Sequence, residues 1–236
     1  FQPVGKLMLK ENFQTLMREE DSAEPLDPEP RWPAMIAIIA VGGLNLALPD
    51  ALTMGPRWLL PTLVSVLLIP TILFHQTGRH RLNTIFGFLV DGLLTLGLVA
   101  SVVLLIAALP SRKEAPSALL FSAASLWITN ILVFALWYWR LDAGGPHERD
   151  KRPGHANGSF LFPQMTMSEE ARREAEQLDW SPNFVDYLFL AFNTSTAFSP
   201  TDVPVLSRWA KILMMLQSVL SLLIIALLAA RAVNIL

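Results

Sequence analysis

Residues 180–202 decide how the chain is read: Trp180-Ser181-Pro182-Asn183-Phe184-Val185-Asp186-Tyr187-Leu188-Phe189-Leu190-Ala191-Phe192, then Asn193-Thr194-Ser195-Thr196-Ala197-Phe198-Ser199-Pro200-Thr201-Asp202. Pro182 behind Ser181 marks a helix start, because proline suits the first helical position and serine suits the cap. A helix over residues 182–197 is about 24 Å long at a rise of about 1.5 Å, short of the roughly 30 Å hydrocarbon core of a bilayer. Pro200 stops it. Residues 212–230 follow without a charge and are long enough to cross. Half-length helix, hydroxyl-rich turn and full-length helix together make a re-entrant hairpin. Irregular backbone at membrane depth persists only where it is buried in protein or lines water.

Composition points to the same solvent. Of 236 residues, 53% are hydrophobic and 16% charged, against about 25% charged in an ordinary soluble domain. Mean hydropathy is +0.43. The net charge of −2 gives no general attraction to nucleic acid. With no cysteine, thiolate metal sites, disulfides and a Cys nucleophile are excluded. The histidines, His75, His80, His147 and His155, fall in connectors, so no metal or cofactor site is expected among the helices. Residues 1–33 lack the cationic start and apolar core of a signal peptide.

Outward from the hairpin, residues 1–33 divide into an amphipathic helix at 1–18 and an acidic, proline-rich linker at 21–33. Four apolar spans follow, at 34–48, 58–74, 84–109 and 118–139. The third holds Asp91, with Gly87, Gly92 and Gly97 giving room for close helix contact. Asp91 is read either as an ion or proton site or as a carboxylate capped by Arg79 or Arg81. Asn130 in the fourth span and Gln217 in the last helix complete a candidate intramembrane polar site with Asp91, helix–helix bonding being the plainer role of each. Trp137-Tyr138-Trp139-Arg140 reads as an aromatic belt. In the polar connection at 141–179, Ser168-Glu169-Glu170 caps a charged surface helix. The chain thus divides at 1–33, 34–116 and 117–236.

Residues 187–204 resemble the pore loop of potassium-channel-type proteins, a family that reads Thr-Thr-Val-Gly-Tyr-Gly-Asp followed closely by Pro. Aligning on Asp202 sets Thr196 at the first family threonine. Ala197-Phe198-Ser199-Pro200-Thr201 then lie over Thr-Val-Gly-Tyr-Gly. The resemblance implies a filter-like loop at Thr194, Ser195, Thr196, Ala197, Phe198, Ser199, Pro200, Thr201 and Asp202, and a tetramer. Ser199 and Thr201 replace both filter glycines and Pro200 the aromatic, so the filter is degenerate and potassium selectivity is not expected. Residues 134–139 and 229–234 also resemble multi-spanning bacterial membrane proteins to which no activity attaches.

The expected fold is therefore all-α: a polytopic integral membrane protein with four transmembrane helices, a potassium-channel-like pore helix and loop, and a final transmembrane helix. A bacterial inner membrane is its expected location. Its expected function is channel-like, conducting cations without potassium selectivity, and the alternative is a non-conducting scaffold or accessory subunit of a larger membrane complex. Partners are the lipid bilayer and either further copies of the chain or other subunits, with no nucleic acid. No enzyme constellation stands out. Charge counting puts the N-terminal side in the cytoplasm whereas channel orientation puts it outside, and both orientations stay open. A fully crossing, tilted fifth helix also stays open.

Overall fold

The computed structural model describes residues 29–108, 116–151, 158–178, 180–196 and 203–233. The amphipathic segment read at 1–18 and the filter-like residues Ala197, Phe198, Ser199, Pro200, Thr201 and Asp202 lie outside them. Among the described residues all regular structure is helical, apart from one isolated antiparallel bridge between Phe160 and Val205.

Helices stand where the apolar runs predict them: α1 Trp32–Ala47, α2 Leu59–Gln76, α3 His80–Ala108 and α4 Pro116–Leu141. Short helices α5 Pro146–Asp150, α6 Pro163–Thr166 and α7 Glu169–Glu174 occupy the polar connection. α7 is capped as its sequence predicts, with the Ser168 hydroxyl accepting from the Ala171 N–H at 3.2 Å. The hairpin helices are α8 Phe184–Thr196 and α9 Arg208–Val233. Three helical stretches, His80–Ala108, Ser117–Gly144 and Arg208–Ala230, are long and apolar enough to cross a membrane, while Trp32–Ala47 and Leu59–Phe74 are shorter apolar helices. Three such helices are consistent with an integral membrane protein.

α4 is the hub, packing on α1 and α3 and on α8 and α9, with α2 laid against α3. Its apolar stretch is 67% buried, against 22% for α9. The rest of α9 is turned outward: Ile212, Met215, Leu216, Val219, Leu222 and Leu223 are exposed at helical spacing. So large an apolar face exceeds what a soluble monomer exposes, and a bilayer covers it at no cost.

α8 starts two residues later than Pro182 predicts. The Asn183 side-chain oxygen accepts from the Val185 N–H at 2.9 Å, and the Asp186 carboxylate accepts from the Asn183 N–H at 2.8 Å. This reciprocal cap fixes the helix start at Phe184 and displaces the Ser181-Pro182 signal. With 13 residues, α8 is about 20 Å long.

The chain beyond α8 returns to the level at which α8 began. Leu161 N–H donates to the Pro204 carbonyl at 3.0 Å and Leu206 N–H to that of Ser159 at 2.8 Å. Phe160, fully buried, sets its ring against Tyr187 near the start of α8 and Trp209 at the start of α9, centroids 6.2 and 6.0 Å apart. Further in, Gln217 meets Ala191 and Ser195, and Ser221 meets Ser195. Residue numbers rise together along both helices, so consecutive α8 and α9 run parallel.

Candidate functional site

The end of α8 meets a buried polar node contributed by α4 and α9. A helix leaves its last four carbonyls without partners in the helix, and that of Ser195 is one of them. It accepts from the Ser221 hydroxyl at 2.7 Å. Gln217 Nε2 donates to the Ala191 carbonyl and to Ser195 Oγ, each at 2.8 Å. Gln217 Oε1 accepts from the Tyr138 hydroxyl. Asn130 Nδ2 completes the node with two long contacts, 3.5 Å to Ser195 Oγ and 3.4 Å to the Gln217 carbonyl. Asn130, Tyr138, Ser195, Gln217 and Ser221 are all fully buried.

Of the filter-like residues, Thr194 and Ser195 are buried and Thr196 is exposed. The Thr194 and Thr196 hydroxyls turn back onto their own helix, donating to the carbonyls of Leu190 at 2.8 Å and Phe192 at 2.9 Å. Such back-bonding spends a hydroxyl's donor within the helix.

Asn130 and Gln217 therefore meet as one site, but Asp91 is not part of it. Asp91 is fully buried and accepts from Arg140 Nε at 2.5 Å. Its partner comes from the end of α4 and is neither Arg79 nor Arg81. The approach depends on Gly87: a Cβ there would lie 1.8 Å from Arg140 Nη1. Gly97 faces Leu60 closely, while nothing lies within 4 Å of a Cβ at Gly92. Trp137 of the aromatic belt faces inward and donates to Thr95 Oγ1 at 2.8 Å.

A second charged knot joins residues that the sequence reading assigns to a linker and a loop. Glu29, buried, accepts from Arg149 Nη2 at 2.8 Å and Nε at 3.2 Å, and from the Trp139 indole N–H. Arg149 also donates to the carbonyls of Trp139 at 2.8 Å and Asp142 at 2.9 Å. Asp142 in turn accepts from the Tyr187 hydroxyl at 2.7 Å, and Arg31 pairs with Asp150. A buried charge needs a partner or hydrogen bonds to persist: Glu29 and Arg149 have both in each other, and the Asp142 carboxylate is held by hydrogen bonds alone. Glu29, Asp142, Arg149 and Tyr187 carry no local signal of these roles.

Chemically, the α4/α8/α9 node is close to saturation: its donors and acceptors meet each other, leaving Asn130 Oδ1 as the buried atom without a partner. Among the described residues no group of three or more His, Asp or Glu is placed to hold a metal ion. Comparison of the chain with protein-family models, with curated proteins and with solved structures finds no match.

Proposed function

We propose that the chain is a non-conducting membrane scaffold, an accessory subunit of a larger membrane complex, whose hairpin is closed within one copy. One observation carries this reading: the Ser195 carbonyl at the end of α8 is taken by Ser221, and Gln217 spans Ala191 and Ser195. A half-crossing helix stabilises a cation through the free carbonyls and negative dipole of its C-terminus. Here the Ser221 hydroxyl from α9 takes the Ser195 carbonyl at that end, and the Gln217 amide holds Ser195 Oγ beside it. In this reading α1 and α2 cross as well, the bilayer being thinned or tilted around their short lengths. Four helices then precede the re-entrant α8, and the resemblance to bacterial multi-spanning proteins supports an inner-membrane setting.

Protein reconstituted in sealed liposomes should pass neither monovalent nor divalent cations at any voltage, and should co-purify from native membranes with stoichiometric partners. Robust flux, altered by Thr196→Ala or Asp202→Asn, would overturn the reading. That outcome would establish the channel-like alternative, which one observation favours: α8 and α9 run parallel from the same end, as a pore helix and inner helix do. In that case α8 lines a homotetrameric pore and Thr196, exposed at its tip, is the first described residue to face the ion.

A further inference from the structure

We propose that the cavity enclosed by the start of α1, the end of α2, the start of α3 and the α4–α5 corner binds the phosphate headgroup of an anionic phospholipid. This inference rests on the membrane setting but not on whether the hairpin conducts. The cavity measures about 170 Å³, and Arg31, Arg140, His80 and His147 line it without any carboxylate. The guanidinium groups of Arg31 and Arg140 form the wall, while their carboxylate partners, Asp150 and Asp91, are not among the residues that line it.

Both arginines keep donors to spare. Guanidinium has five N–H groups; Arg140 commits Nε to Asp91, and Arg31 commits Nη2 to Asp150. Arg31 Nη1 is shielded from solvent with no hydrogen-bond partner, and the Glu29 carboxylate lies 3.9 Å from it. His147 Nε2 is also buried without a partner, and its ring stacks on His80 at 3.4 Å. Unpartnered buried polar groups are costly, and a phosphate oxygen is the kind of acceptor that planar arginine donors fit best.

The remaining wall is apolar, including Ile38, Leu68 and Ile72. A cavity of about 150 Å³ holds one benzene, so this one takes a phosphate ester and the first carbons behind it. The rest of the tails must lie outside. The lining residues Met35 and Ile72 are 39% and 38% exposed, which opens the cavity onto the lipid-facing surface. Exposed Trp32 at the start of α1 sets this end at the depth of lipid headgroups. Polar head inward, tail outward: this is the geometry of a bilayer lipid rather than of a solute.

The test measures thermal stability and native mass spectra of the intact protein in mild detergent with added phosphatidylglycerol, phosphatidylcholine or inorganic phosphate. Phosphatidylglycerol should stabilise the protein and stay bound through delipidation. Arg31→Gln should weaken its apparent affinity about tenfold or more, as loss of a charge-assisted bond predicts. Ile72→Trp, narrowing the apolar mouth, should weaken it while leaving the fold intact. If Arg31→Gln fails to fold because Asp150 loses its partner, His147→Gln and Ile72→Trp decide the matter. Equal effects of phosphatidylcholine, equal effects of inorganic phosphate alone, or unchanged binding in folded variants would each overturn the assignment.

Discussion

Replacing Gln217 with leucine tests whether the end of α8 is held from within the same copy. The substitution keeps the side-chain bulk and removes both polar ends. Its Nε2 is bonded to the Ala191 carbonyl and Ser195 Oγ, and its Oε1 to the Tyr138 hydroxyl. The Ala191 carbonyl lies inside α8, where the helix supplies its own donor. Ser195 Oγ keeps the long Asn130 contact. The main loss falls on Tyr138, whose buried hydroxyl then loses its Gln217 acceptor. Leaving a buried polar group unpaired costs about 1–3 kcal/mol, while interhelical bonds in membranes average about 0.6 and reach about 1.7 kcal/mol. Gln217→Leu should therefore destabilise by about 1–2 kcal/mol, in the lower half of the first range. Tyr138→Phe alone should cost a similar amount by stranding Gln217 Oε1. Removing both partners together can be nearly neutral, so the double variant should cost about 1 kcal/mol less than the sum. Equilibrium unfolding of the four proteins in mixed micelles reads these values directly. Strictly additive costs, or a neutral Gln217→Leu, would refute the view that this node locks the hairpin.

Three further outcomes follow from the charged end of the bundle. Arg140→Leu should cost about 3–5 kcal/mol by stranding the Asp91 carboxylate, and Gly87→Ala should be harmful with Arg140 present but nearly neutral in the Arg140→Leu background, since its Cβ collides with that guanidinium; unfolding titrations of the cycle check both. Burial, with His80 and Lys151 nearby and Glu148 and Asp150 opposing, holds His147 below the ordinary imidazole range, so its neutral form favours the fold. That contribution is present above the ordinary value of about 6.5 and is lost as pH falls through the lowered value. Amide exchange in α5 should accelerate on acidification and lose that increment in His147→Gln.

The long apolar helices are legible because their signal is local. An uncharged apolar run needs only its own residues to declare itself, and α1 to α4 fall within a few residues of the apolar runs. The start of α8 was misplaced by two residues because two local signals compete there, and the Asn183–Asp186 cap makes two bonds where Ser181-Pro182 offered a preference. Partners of buried charges were illegible for a different reason. Arg79 and Arg81 are near Asp91 in sequence, but the bundle brings Arg140 to it from 49 residues away. Glu29 sits in Glu-Pro-rich sequence that reads as a spacer, and its partner Arg149 is 120 residues distant. Periodicity and composition carry no information at that range. Asn130 and Gln217 stand out because a polar side chain inside an apolar helix is conspicuous; a serine such as Ser221 is less so, being common at helix–helix contacts.

That contrast bears on the hairpin itself. The Pro182, Pro200 and hydroxyl pattern speaks for a helix that stops part-way, and parallel α8 and α9 accord with it. Whether such an end faces an ion or its own protein depends on where its carbonyls go, which no stretch of sequence states. Irregular backbone at depth must be satisfied by something. In a conducting loop water and ions do this, and the lining side chains leave the carbonyls free. Here α9 places Gln217 and Ser221 one turn apart on the face that meets α8, where each reaches a carbonyl. The same two positions occupied by alanine or leucine would leave the Ser195 carbonyl to find a partner elsewhere, in a neighbouring copy or in water. The closed reading of the hairpin thus rests on two side chains of the last helix rather than on the filter-like residues that first drew attention to it.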